Sequence, residues 1–244
     1  MEIITGRNPV KEALKAGRGF DRIYVQKNAE GSINSLVAEA KKRGIDIRFE
    51  DKQMLNRLAK VSHQGVVAYV SDYNYSDVDN MLSAAALQNE PPLLVITDGM
   101  EDPQNLGAII RVAECAGAHG VIIPSRRAAG VSDSVVKASA GAVEYMKIAQ
   151  IANISRAMEE LKDKGLWIAG LDMEGSDYLK ADLDGPMAVV VGGEERGLSR
   201  LVRSKCDFII SIPMFGRIES LNASNAVAVA LYEIKRRRVR SPSK

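Results

Sequence analysis

From residue 93 onward the apolar positions fall into short unbroken runs, at 93–97, 120–124, 167–171, 187–191 and 208–212. Between them lie segments with helical spacing, at 106–116, 132–140, 154–164, 198–205 and 223–236. Runs that are apolar throughout and alternate with helices predict a mainly parallel sheet covered on both faces. Such sheets bind ligands beyond the carboxyl ends of their strands, so the loops after these runs are the places to look for chemistry.

The first seventy residues have a different texture. Asn8 followed by Pro9 predicts a helix start ahead of 10–16. Strands are expected at 22–25, 45–49 and 66–70, with helices at 33–42 and from an Asp51 cap through Leu58. This is a small α/β unit. Residues 71–90 are polar with a short Ala-rich turn of helix, and Pro91-Pro92 ends them. Two prolines cannot continue a helix. The expected organisation is therefore a domain at 1–70, a linker at 71–92 and a second domain at 93–244. No internal repeat is visible.

Composition adds exclusions. The chain has 244 residues, nearly half of them apolar, and a formal net charge of +2. That charge says little about partners. The run Lys235-Arg236-Arg237-Arg238-Val239-Arg240, followed by Ser-Pro-Ser-Lys, reads as a helix end complemented by cations and then a frayed tail; contact with a phosphate backbone is the sharper alternative. Cys115 and Cys206 stand apart inside apolar patterns and are expected as reduced, buried thiols of a cytoplasmic protein. His63 and His119 are not spaced as metal ligands, so no metal site is expected. The amino terminus lacks the pattern of a signal peptide. No apolar run approaches membrane-spanning length.

Three loops carry the chemistry. After 93–97 come Asp98-Gly99-Met100-Glu101-Asp102-Pro103-Gln104-Asn105, with Asn105 expected to cap a helix. Arg111 follows among apolar neighbours, where a guanidinium needs an anionic partner. After 187–191 comes Gly192-Gly193-Glu194-Glu195-Arg196-Gly197, neither a dinucleotide fingerprint nor a P-loop. Its acids would suit a cationic or hydroxyl-rich ligand. After 208–212 come Pro213-Met214-Phe215-Gly216-Arg217-Ile218-Glu219-Ser220-Leu221-Asn222-Ala223-Ser224-Asn225. One capping residue suffices for a helix, so this many polar groups at one helix start point to a ligand site.

Taken together the three loops resemble the motifs of the SpoU/TrmH family of RNA ribose 2′-O-methyltransferases, in the SPOUT superfamily. Gly6-Arg7-Asn8-Pro9-Val10 and His63-Gln64-Gly65 resemble the small L30e-like RNA-binding domain of the 23S ribosomal RNA guanosine 2′-O-methyltransferase group. The resemblance implies an α/β fold with a SPOUT-type parallel sheet, helices on both faces, and a trefoil knot. It implies S-adenosylmethionine as cofactor, held by Gly192, Gly193, Ile212, Met214, Leu221 and Ala223. It implies RNA as partner and a homodimer in which Asn105 and Arg111 of one chain approach the cofactor of the other. Arg111, Asn105, Glu194, Ser220 and Asn222 would form the catalytic group. In the family Arg111 would act as base, but a guanidinium keeps its proton at neutral pH. Positioning a phosphate and stabilising the developing alkoxide fit it better. Ser220 and Asn222 would orient the ribose, Asn105 the hydroxyl, and Glu194 would anchor the site. Transfer RNA as substrate, a non-catalytic RNA-binding protein and, more remotely, a dinucleotide oxidoreductase are the rival readings.

Overall fold

The computed structural model describes residues 1–29, 31–194 and 196–240, the last without its side chain. These form two compact units. Unit one comprises Met1–Asn74 together with Val131–Tyr145. Unit two comprises Tyr75–Gly130 and the described residues from Met146 onward.

Unit one is built on β1 (Glu2–Thr5), β2 (Phe20–Gln26), β3 (Asp46–Glu50) and β4 (Val66–Val70), in the order β1-β4-β2-β3. β4 runs antiparallel to β1 and β2, and β2 runs parallel to β3. Helices α1 (Arg7–Ala16), α2 (Ser32–Lys42) and α3 (Lys52–Leu58) complete the order. Ile4, Leu14, Ile23, Ile33 and Leu36 are buried in its core. Asp51 caps α3 as expected, accepting from the Met54 N–H. Asn8 does not cap α1. The helix begins after Gly6, whose φ is +98°, and no side chain of the chain start caps it. Gln64 does the work from outside, since its Oε1 accepts the Arg7 N–H at 3.3 Å.

The segment Val131–Tyr145 was expected in the second domain and is a correction. Its helix α6 (Asp133–Ala138) belongs to unit one. The Asp133 carboxylate accepts from the Thr5 N–H at 2.8 Å and from the Thr5 hydroxyl. The buried Arg18 guanidinium joins Glu144 at 2.9 Å and also Glu2. A Cβ at Gly141 would lie 2.7 Å from the Glu12 Cβ, so that crossing needs glycine. Burial raises both the Asp133 and Glu144 carboxyls above their ordinary values.

Unit two holds a six-stranded sheet of β5 (Leu93–Asp98), β6 (Gly120–Pro124), β7 (Ile148–Ile151), β8 (Trp167–Asp177), β9 (Met187–Gly192) and β10 (Phe208–Ser211). The order is β10-β8-β9-β5-β6-β7 and every pair is parallel. β5 and β9 are buried at nearly every position, as strands covered on both faces must be. On one side α4 (Val78–Leu87), α7 (Ile154–Asp163) and α8 (Arg200–Lys205) supply Met81, Met158 and Val202 to a cluster with Leu94, Ile122 and Ile168. Helices α5 (Pro103–Cys115) and α9 (Ala223–Arg240) pack on each other, and α9 also packs on β9.

The expected linker at 71–92 is another correction. Its middle is α4, capped by Asp77 and fixed by the fully buried Met81 and Ala85. A Cβ at Gly120 would meet the Met81 sulfur at 2.2 Å, which is how closely this helix lies on β6. Asp102, not Asn105, caps α5, with Pro103 at the first helical position. Residues 105, 106, 109, 110 and 113 face inward, whereas Gln104, Arg111 and Cys115 are exposed. Arg111 therefore does not sit among its apolar sequence neighbours, and Cys115 is not buried. Cys206 is half-buried, and burial pushes its thiol up to about 11.

Candidate active site

The loops after β5, β9 and β10 meet at the carboxyl edge of the sheet. Two contacts at Asp98 join the first two of them. The Gly193 N–H donates to the Asp98 carbonyl at 2.9 Å, and the Asp98 carboxylate accepts the Ser199 N–H at 2.7 Å. The second loop then folds back on itself, with the Gly197 N–H donating to the Gly193 carbonyl at 2.8 Å. A Cβ at Gly192 would lie 2.0 Å from the Gly197 carbonyl carbon, and one at Gly193 would lie 2.6 Å from the Gly99 oxygen. These glycines are required by main chain meeting main chain. Glu195, in the same loop, lies outside the described residues.

The third loop ends in a helix cap with a second task. Asn222 Oδ1 accepts from the Ser224 N–H at 2.9 Å and from its hydroxyl at 2.6 Å, which caps α9. The other end of the same amide donates to Asn105 Oδ1 at 2.8 Å and to Glu194 Oε1 at 3.0 Å. Asn105 in turn donates to the same Glu194 oxygen and, at 2.9 Å, to Asp102 Oδ2. One residue from each loop thus closes a polar triad, Asn105–Glu194–Asn222, within a single chain. Asn105 is buried, and the triad satisfies its amide.

Beside the triad opens a cavity of about 620 Å³, within the range of small-molecule sites. Gly192, Gly193, Ile212, Met214, Leu221 and Ala223 all line it, as do Glu194, Ser220 and Asn222. Asn105 stands behind this wall and Arg111 is not part of the lining. The Arg111 guanidinium makes no hydrogen bond or ion pair with any of the described residues. Leu171 and Asp172, at the end of the apolar part of β8, also line the cavity and were missed. The rule that sent attention to the loops after the other strands applies equally to 167–171. Burial pushes the Asp172 carboxyl up, but the Glu174 N–H and the Arg203 guanidinium outweigh it and leave it below its ordinary value. The cavity offers apolar walls from Leu171, Ile212 and Leu221, with three acids, Asp172, Glu194 and Glu219, against one cation, Arg196, among them. That set suits a ligand with a flat apolar part and a positive centre.

The remaining sequence candidates find structural places. His63 holds Asn56 at 2.9 Å through Nε2 and accepts the Gly65 N–H at 3.0 Å. His119 accepts the Leu93 N–H at 3.0 Å. Among the described residues no three His, Cys, Asp or Glu are grouped to hold a metal ion. The basic run of α9 is tied to its own unit. Lys235 pairs with Glu90, Arg236 and Arg237 with Glu233, and Arg238 donates to the carbonyls of Pro91, Pro92 and Gly185. Arg236 and Arg237 hold the Glu233 carboxyl at about 2. Residues 241–244 and the Arg240 side chain lie outside the described residues. No helix among the described residues is long and apolar enough to cross a membrane.

Comparison with known proteins adds a family pattern to this geometry. Residues 92–232 match the pattern described as "SpoU rRNA Methylase family", and residues 3–76 match "RNA 2'-O ribose methyltransferase substrate binding". The chain is 41% identical over 239 residues to a Bacillus subtilis protein named "Putative TrmH family tRNA/rRNA methyltransferase YacO", covering 97% of this chain and 96% of that one. It is similar in structure to the SpoU methyltransferase AviRb from Streptomyces viridochromogenes, solved with the cofactor AdoMet. The TM-score is 0.82 at 26% identity, over 98% of this chain and 90% of that one. An AdoMet-bound rRNA methyltransferase from Sinorhizobium meliloti gives a TM-score of 0.77 at 26% identity, over 97% and 87% of the two chains.

Proposed function

Because the chain belongs to the SpoU rRNA methylase family, we propose that it transfers a methyl group from S-adenosylmethionine to a ribose 2′-hydroxyl of RNA. The observation that carries this reading is the cavity at the ends of β9 and β10, with its wall fastened by the Asn105–Glu194–Asn222 triad. A guanosine of 23S ribosomal RNA is the substrate we assign. The match of residues 3–76 to a substrate-binding pattern supports RNA as the substrate, and the full-length likeness to the Sinorhizobium rRNA methyltransferase supports the ribosomal part of that assignment. The name of the Bacillus relative covers transfer RNA too, and this is the second reading.

The cavity fits the cofactor: Leu171, Ile212 and Leu221 would flank its adenine, Gly192 and Gly193 would leave room beside it, and the acids would face its cationic end. Met214 and Ala223 complete the wall. When bound, the cofactor supplies a methyl group already made electrophilic by its sulfonium. The chain must then orient the ribose hydroxyl and manage its proton. Ser220 is exposed at the cavity with its hydroxyl open to a ribose. Asn222 and Asn105 have their amides occupied by each other and by Glu194, so they position Glu194 and the third loop. This revises the expectation that both touch the substrate.

Arg111 has no part in its own cavity. In our reading it serves the cavity of a second copy, as a homodimer would allow. There its guanidinium would hold the phosphate beside the target and stabilise the developing alkoxide. A trefoil knot in unit two belongs to the same reading. The test is ribose-methylation mapping of ribosomal and transfer RNA from a deletion strain, with the purified protein and labelled S-adenosylmethionine restoring the mark. A missing mark in 23S RNA, restored in vitro, is the expected result. A missing mark in transfer RNA alone would establish the second reading, and unaltered RNA throughout would overturn both.

A further inference from the structure

Unit one holds a second cavity, also of about 620 Å³, that the reaction described above does not use. Arg7, Lys52 and the amide side chains of Gln26, Asn56 and Gln64 line it. Among the described residues that line it none is an acid. Its floor is built rather than incidental. Gln64 and Gly65 are consecutive residues of positive φ, at 50° and 82°, and a Cβ at Gly65 would come 3.3 Å from the Gln26 Cβ. His63 beneath is buried with both ring nitrogens engaged.

A third cation arrives from far along the chain. Lys137, on α6, donates to the carbonyl of Ser62, and Ser62 lines the cavity. Burial lowers the His63 pKa, and Lys52 and Lys137 lower it further, as expected where both charges bear on one spot. Lys137 lies outside the stretch 3–76 that matches the substrate-binding pattern.

We propose that this cavity receives an unpaired nucleotide of the RNA substrate, with Lys52 and Lys137 holding its phosphate and the Gln26, Asn56 and Gln64 amides reading its base. The inference rests on the RNA reading given above. Cations on the phosphate supply affinity and amides on the base edge supply choice. A cavity of this size admits one nucleotide and not a duplex, which places the recognised base in a loop, bulge or single strand. The segment Val131–Tyr145 then has a role in recognition, since it carries the cation that completes the site.

The test uses the full-length protein with Lys52→Gln, Lys137→Gln and the double variant. The probe is a 23S ribosomal RNA transcript, with a transfer RNA pool in parallel, in filter binding across a range of salt. The double variant should bind the RNA that the parent prefers about tenfold or more weakly. Its plot of log affinity against log salt should be shallower by about one for each phosphate that the two lysines neutralise. Lys137→Arg should restore both. S-adenosylmethionine affinity by calorimetry should not move in any variant. Should Lys137→Gln lower the melting temperature, Lys52→Gln carries the test, because Lys52 is exposed at the first turn of α3. Unchanged affinity and salt slope in the double variant would overturn the proposal, as would a parent that binds neither RNA. A parent that binds RNA and methylates none would instead sink the methyl-transfer reading and leave this one standing.

Discussion

Asn222 and Asn105 stand 117 positions apart in the chain and share a hydrogen bond of 2.8 Å. The bond ties the cap of α9 to the first turn of α5, and Glu194 closes the ring from the loop between them. Asn222→Ala should remove the cap, at about 1 kcal/mol, and leave the buried Asn105 oxygen unpaired, at about 1–3 kcal/mol more. Asn222→Ser keeps a capping oxygen but not the amide donor, so it should recover the first part only. Urea unfolding of the three proteins separates the two contributions. If Ala and Ser prove equally stable to the parent, the triad does not fasten the wall.

Gly192 and Gly197 should behave differently although they share one loop. A methyl group at 192 would fall on the Gly197 main chain, whereas one at 197 meets nothing within 4 Å and suffers only from its φ of 59°. Gly192→Ala is expected to cost at least about 3 kcal/mol and to abolish S-adenosylmethionine binding. Gly197→Ala should cost about 1 kcal/mol and leave binding measurable. Calorimetry beside urea unfolding reads both.

Arg111→Ala removes an exposed side chain without a partner among the described residues. Its stability should stay within about 0.5 kcal/mol of the parent, while methyl transfer falls about 100-fold or more. Arg111→Lys should recover little, because an ammonium lacks the planar fork. Mixing Arg111→Ala with Glu194→Gln protomers should restore activity that neither has alone, since one copy then offers an intact cavity and the other an intact guanidinium. Mixtures as inactive as their parts would show that two copies do not share a site.

How far the sequence foretold all this depends on the range of the interactions. The strands of unit two were legible because burial on both faces leaves a continuous apolar run, as at 93–97 and 187–191. β7 was not, since Ile-Ala-Gln-Ile is short and exposes its glutamine. Reading the loops after strands pointed to the three loops, and the family resemblance to Gly192, Ile212, Leu221 and Ala223 within them, which line one cavity. The outward turn of Arg111 was lost by treating sequence neighbours as spatial ones, when each helical step turns the side chain by about 100°. Asp102 had a better claim than Asn105 to cap α5, for Pro103 after it marks the first helical residue. The allegiance of Val131–Tyr145 was beyond local pattern altogether, because Asp133 meets Thr5 across 128 positions.

The histidines set an acid limit. Burial is the first cause that lowers both the His63 and His119 pKa below the ordinary value of 6.5. A base that stays neutral in the fold takes up fewer protons there than in the unfolded chain. The stability this lends is therefore present above about pH 6.5 and is lost as pH falls through the lowered value. The raised Asp133 and Glu144 carboxyls work in the opposite sense, so the comparison must be with a variant. His119→Gln should show a smaller drop in urea midpoint between about pH 7.5 and pH 5.5 than the parent. An equal drop would mean that His119 takes no part.

The excursion of Val131–Tyr145 into unit one means that the chain passes between the units three times, at 74–75, 130–131 and 145–146. No single cut yields both parts whole. A fragment ending near residue 74 would keep Thr5 and Arg18 but lose Asp133 and Glu144, their partners. Recombination at one point, the ordinary way to trade a recognition module for another, would damage whichever half it joined. In this lineage the part matched to substrate binding and the part matched to the methylase are bound to be inherited together.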